Sequence, residues 1–95
     1  MYNVRVSAQV EAAARTLAPT PRRAVRAALA GLAHERGDLK ALEGTLAGFW
    51  RLRVGRHRVV FCYVAPRTID CLFLEERNVV YEIFSTLLRD GRVRG

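Results

Sequence analysis

Ninety-five residues, 51% of them hydrophobic, suffice for one small domain over residues 1–95 with a single core, and exclude a chain of several domains. A formal charge of +7 favours polyanionic partners such as RNA, DNA, a ribosome or an acidic protein. No apolar run approaches the roughly 20 residues of a spanning helix, so the expected setting is cytoplasmic and without membrane contact.

Residues Tyr2 to Val6 alternate as a short strand. Ser7 suits an N-cap, and Val10, Ala13, Ala14 and Leu17 follow at helical spacing. Pro19-Thr20-Pro21 breaks that helix. Thr20 as N-cap with Pro21 at the first helical position would open a second one, striped by Val25, Ala28, Leu29 and Leu32 and stopped by Gly37. The pair reads as a helical hairpin. Asp38 to Gly48 reads as a loop anchored by Leu39, Leu42 and Leu46. Three strands follow, at about Phe49–Val54, His57–Val64 and Thr68–Glu75. Gly55-Arg56 suits a two-residue type II′ turn, and Pro66-Arg67 another tight turn. Asn78 to Arg89 reads as a helix with Val80, Phe84, Leu87 and Leu88 on one face and Gly91 at its end. The expected fold is α+β in the order β-α-α-β-β-β-α, an antiparallel sheet with the helical hairpin on one face. Cys62 and Cys71 fall in apolar strands at a spacing foreign to zinc sites, and are expected as buried free thiols.

The Gly55-Arg56 turn fixes a register. Val54 faces His57, Arg53 faces Arg58, Leu52 faces Val59, Arg51 faces Val60, and Trp50 faces Phe61. Opposed residues share a sheet face. Trp50, Leu52, Val59 and Phe61 then form a core face, with His57 at its rim. Arg51, Arg53 and Arg58 form a cationic block on the other. Arg53 directly opposite Arg58 destabilises the hairpin unless something compensates. One compensation is a carboxylate, since the second turn would set Glu75 opposite Arg58. The other is a bound phosphate, because guanidinium forks suit phosphate oxygens.

Beyond this reading, Leu42-Glu43-Gly44, Leu46-Ala47-Gly48-Phe49-Trp50-Arg51-Leu52-Arg53-Val54-Gly55 and His57-Arg58-Val59-Val60-Phe61 together resemble the signature of the RelE/ParE superfamily, toxins of type II toxin–antitoxin systems. Glu76-Arg77-Asn78-Val79-Val80-Tyr81 is similar to the family's closing segment. The Gly-Phe-Trp triplet and the His-Arg pair lean toward the branch that includes YoeB. The resemblance implies a ribosome-dependent mRNA interferase, an endoribonuclease in which the RNA's own 2′-hydroxyl attacks the adjacent phosphate with no cofactor and no metal. It implies a cognate antitoxin as partner, beside the ribosome and mRNA. By position it implies catalytic roles for Arg51, Arg53, Arg58, Arg77 and Tyr81. The phosphate would be held by Arg51, Arg53 and Arg58, with Arg56 at the turn beside them.

Some positions depart from the family. Glu75 and Glu76 stand where Gly-His or Gly-Lys is common. Lys40 falls near the glutamate that serves as base in the YoeB-like branch, with Glu43 close by. The chain continues as a helix past Tyr81, as in some ParE-like members that poison DNA gyrase. Two alternatives therefore stand beside the interferase: a ParE-type gyrase inhibitor, and an inactive toxin fold within an antitoxin-bound repressor complex.

Overall fold

The computed structural model describes residues 1–77 and 79–91. Its elements are β1 (Asn3–Val6), α1 (Ala8–Thr16), α2 (Pro19–Gly31), β2 (Asp38–Ala41), β3 (Trp50–Val54), β4 (His57–Val64), β5 (Thr68–Glu76) and α3 (Val79–Arg89). Short 3₁₀ turns occupy Leu32–His34 and Gly44–Leu46. The strands form one sheet in the order β1-β5-β4-β3-β2. The α+β class and the helical hairpin stand as expected, with two changes to the sheet. Its pairs are antiparallel except that β1 runs parallel to β5, and it has gained the edge strand β2.

That edge strand lies in the segment expected as loop. Asp38-Leu39-Lys40-Ala41 is a bare four-residue alternation, too short to stand out, and pairing with β3 makes it a strand. The helix starts earlier than expected. Ala18 is the N-cap without a side-chain bond, and Pro19 takes the first helical position. The first intrahelical donor is Arg22 N, bonded to Ala18 O at 2.9 Å. Pro21 therefore lacks its N–H inside the first turn, where no acceptor was waiting for it. The α-helix ends at Gly31, well before Gly37. A 3₁₀ turn carries the chain on to Glu35, which takes φ 53°. Gly37, at φ 120°, lies so close to Leu52 that an added Cβ would sit 2.9 Å from Leu52 Cδ1. At the other end α3 begins at Val79, Asn78 lies outside the described residues, and Gly91 follows with φ 72°.

Between β4 and β5 two departures cancel. Val64 pairs with Thr68, so the connection is the three residues Ala65, Pro66 and Arg67, one more than the expected turn. A bulge then restores the register: Phe61 pairs with Cys71 but Val60 pairs with Phe73, leaving Leu72 as the extra residue. Glu75 thus ends opposite Arg58 after all. Backbone groups near the bulge lie beyond the reach of β1, and α1 satisfies them. Ser7 Oγ accepts from Val10 N at 3.1 Å and donates to Leu72 O at 2.9 Å. Gln9 Nε2 donates to Leu74 O at 2.9 Å, and Leu74 N donates to Gln9 Oε1 at 2.8 Å.

The hydrophobic residues divide into two clusters, one on each face of the sheet, rather than the single core expected. Between the helical hairpin and the sheet lie Val10, Val25, Leu29, Leu32, Leu52, Val59, Phe61, Ile69 and Leu74. On the opposite face Leu46, Val60 and Phe73 meet Val80 and Phe84 of α3. A sheet with apolar residues on both faces needs a cover on both, and α3 supplies the second. Cys62 and Cys71 are buried free thiols, and burial pushes Cys71 up to about 12, leaving it unreactive. Among the described residues no helix is long and apolar enough to cross a membrane.

Phe84 is fully buried at the centre of the second cluster, edge-on to Phe49 with centroids 5.0 Å apart. Phe84→Ala should cost about 3–5 kcal/mol in urea denaturation, as other large-to-small changes at well-packed aromatic positions do. A loss within ~0.5 kcal/mol would mean that α3 is not an integral cover of the sheet.

Candidate functional site: an arginine cleft on the α3 face

The β3–β4 register is the one the turn dictates: Arg53 opposes Arg58 and Arg51 opposes Val60. Gly55 supplies φ 60° at the first position of that turn. Adding the outer strands completes two rows on one face. Asp38, Arg53, Arg58 and Glu75 line up across four strands, and Lys40, Arg51, Val60 and Phe73 form the next row. The two opposed guanidiniums are thus bracketed by carboxylates, while the second row runs from two cations into the apolar surface under α3.

The carboxylates do not simply neutralise their neighbours. Asp38 reaches diagonally: Arg51 Nη1 donates to its Oδ1 and to its main-chain carbonyl, both at 3.0 Å. Arg51, with only 15% of its side chain exposed, is therefore held in place. Glu75 forms no ion pair with Arg58 among the described contacts, and instead Arg58 Nη1 donates to the carbonyls of Gly55 at 3.0 Å and His57 at 3.2 Å. Arg53 is exposed and makes no side-chain hydrogen bond among the described residues. The face holds one tethered guanidinium, one folded against its own turn, and one extended into solvent.

These residues line a cleft of about 310 Å³ with Lys40, Ala41, Leu42, Glu43 and Tyr81. Tyr81 comes from the first turns of α3 and packs on the second hydrophobic cluster, so the helix that covers one end of the sheet face also closes one side of the cleft. Arg51, Arg53, Arg58 and Tyr81 are brought together here. Two other candidates lie elsewhere. Arg56 sits at the turn tip and lines an apolar groove beside Leu17, Pro21 and His57. Arg77 is exposed, takes φ 48° where β5 turns toward α3, and its backbone N–H donates to Arg56 O at 2.6 Å. Left-handed backbone is uncommon for arginine, and here it falls directly after the end of β5. The side chain does not line the arginine cleft.

His57 differs from the rim position expected of it. It is only 7% exposed, and its Nε2 is buried without a hydrogen-bond partner, 3.8 Å from Glu76 Oε1. The β3–β4 turn alone suggests an exposed position, but α1 and the end of β5 close over the ring. Asp38 and its role were not visible in the sequence at all, and Lys40 stood out only by family position. The available signal was the Asp38–Ala41 alternation, which puts both polar side chains on the arginine face once the segment is read as a strand.

No model of a known protein family matches the sequence, and no curated protein does. Solved structures do. The RelBE2 toxin–antitoxin complex from Mycobacterium tuberculosis contains a chain 25% identical over 80% of this protein and 98% of its own length, with a TM-score of 0.67. The archaeal RelE–RelB complex from Pyrococcus horikoshii OT3 gives 28% identity over 81% of this chain and 96% of its own, with a TM-score of 0.61. The YoeB–YefM complex from Staphylococcus aureus, at 16% identity and a TM-score of 0.63 over 81% of this chain and 98% of its own, shares the fold. The protein therefore has the RelE/ParE toxin fold, and it belongs to that superfamily. Within it, the fold is RelE/YoeB-like.

The Arg51–Asp38 contact should respond to acid. The hydrogen bond from Arg51, and then the charges of Arg51, Arg53 and Arg58, hold the Asp38 carboxyl below its ordinary 3.8 despite some opposing desolvation. A lowered value means the contact is complete above the ordinary carboxylate range and is lost as pH falls through the folded-state value. Arg51 side-chain NMR signals should stay ordered down to the carboxylate range and average below it, and Asp38→Ala should remove that transition. Averaging already at neutral pH in the wild type would show that Arg51 is not held.

Proposed function

We propose that this protein is the toxin of a type II toxin–antitoxin module and a ribosome-dependent mRNA interferase. The observation that carries the reading is the convergence of Arg51, Arg53 and Arg58 with Tyr81 on one cleft. The register sets positions 53 and 58 opposite one another, but nothing in folding requires arginine at both, and the pair costs stability. A phosphate between them turns a like-charge pair into a two-sided anion clamp.

In the proposed reaction the 2′-oxygen of the mRNA forms a bond to the adjacent phosphorus and the bond to the 5′-oxygen breaks. The products are a cyclic phosphate and a 5′-hydroxyl. Negative charge grows on the non-bridging oxygens as the new bond forms. Arg53 is free to meet it, Arg51 is already aimed, and Arg58 can exchange its carbonyl contacts for the stronger charge-assisted ones. Tyr81 would stack or orient the nucleotide from the α3 side. The nucleophile is part of the substrate and the charge is met by guanidiniums, so the reaction needs no metal.

A cognate antitoxin is the natural partner, since the structures similar to this one include RelE–RelB and YoeB–YefM complexes. The exposed cationic face suits an acidic or amphipathic segment that folds on binding.

Arg58→Ala should lower cleavage on programmed ribosomes by about 10²–10³-fold, the usual effect of losing one strong oxyanion donor. Folding stability should hold or rise slightly, because the change also removes like-charge opposition to Arg53. The readout is mRNA 5′-end mapping beside toxicity in the same culture. Full toxicity of a folded Arg58→Ala protein would sink the reading, and gyrase-linked DNA breaks without new mRNA ends would favour a ParE-type target.

Chelation gives a second test. Cleavage should persist with transition metals removed while the ribosome's magnesium is kept. Activity lost on chelation and restored by one transition metal would contradict the mechanism.

A further inference from the structure

The proposed cleavage leaves one chemical task unassigned. An alkoxide is a poor leaving group, and the 5′-oxygen must gain a proton as its bond to phosphorus breaks. Arg51, Arg53 and Arg58 cannot supply it, because a guanidinium keeps its proton throughout the accessible pH range. The cleft contains one cation of a different kind. Lys40 is the sole lysine of the chain. It sits directly across from Arg51 in the β2–β3 ladder and lines the cleft with all three arginines.

We propose that Lys40 is the proton donor to the leaving 5′-oxygen, an assignment that rests on the interferase reading above. Its ammonium carries a transferable proton on a flexible stem, and its side chain is exposed and uncommitted to any described hydrogen bond or ion pair. In the step, the 2′-oxygen bonds to phosphorus and the electron pair of the breaking bond goes to the 5′-oxygen, which takes a proton from Lys40. The 2′-hydroxyl proton passes to Glu43, the one carboxylate among the described lining residues. Exchange with water then returns Glu43 to carboxylate and Lys40 to ammonium, so protons balance over a turnover. The groups facing Lys40 are Arg51, Arg53 and Arg58 from the sheet, Glu43 from the following loop and Tyr81 from α3, with Asp38 beside it on its own strand. Tyr81 also bears an exchangeable proton, but it is fixed against the α3 cluster, whereas Lys40 can follow the leaving group.

The test is single-turnover cleavage on ribosomes programmed with two mRNAs. One is natural, and the other has sulfur in place of the scissile 5′-oxygen. Sulfur leaves without protonation. Lys40→Arg and Lys40→Met should each cleave the natural mRNA about 10²–10⁴-fold more slowly, the usual span for a general acid. Both should bind ribosomes as the wild type does and cleave the sulfur substrate at close to the wild-type rate. Arg58→Ala should be slow on both substrates. If Lys40→Arg cleaves natural mRNA at the wild-type rate, Lys40 supplies only charge and the proposal fails. If both Lys40 variants are equally slow on both substrates, Lys40 holds the site together and donates no proton. A wild-type protein that cleaves neither mRNA overturns the interferase reading and this assignment with it.

Discussion

The structure turns on the opposition of Arg53 and Arg58 across the central β3–β4 ladder. Opposed like charges cost a few tenths of a kcal/mol or more. The same register buries Leu52, Val59 and Phe61 on the other face, each fully, and each such side chain contributes about 1.5–3 kcal/mol. A slip of one residue along β4 would relieve the arginines but turn Val59 and Phe61 off the core face. The hydrophobic term wins by an order of magnitude, so folding forces the two guanidiniums together. The sheet meets the residual cost locally. Carboxylates flank the pair at Asp38 and Glu75, and Arg58 turns aside to its own turn carbonyls.

Helix α3 gives that cationic row its shape. Without a cover, Val60 and Phe73 would leave the arginine face half apolar and flat. With Val80 and Phe84 seated on them, one half is closed, and the other becomes a cleft whose wall carries Tyr81. Stability and the candidate site thus share a helix. The left-handed Arg77, bonded through its backbone to Arg56, marks the point where β5 gives way to that helix.

Much of this was legible in the sequence, for reasons that differ by segment. The β3–β4 hairpin was readable to the residue, because Gly55 allows a single tight register and the alternation on either side agrees with it. The Glu75–Arg58 alignment was also anticipated, but through two compensating departures, a longer connection and the Leu72 bulge. Neither has a local sequence signature, and both depend on how β5 fits between β1 and β4. Strand β2 was hidden because four residues of alternation carry little weight until a neighbour pairs with them. With β2 went Asp38, whose hold on Arg51 is visible only in three dimensions. The buried His57 was obscured for the same reason, since what covers it arrives from α1 and the far end of β5.

Whether the arginine pair is an anion clamp is decided by the position of the phosphate in the bound complex. A structure of the ribosome-bound protein with an mRNA carrying a 2′-deoxy or 2′-O-methyl nucleotide at the cleavage position would trap the complex before reaction. The scissile phosphate should lie between Arg53 and Arg58, within hydrogen-bonding distance of both guanidiniums. A phosphate elsewhere on the surface, with this row facing ribosomal protein or solvent, would contradict the clamp.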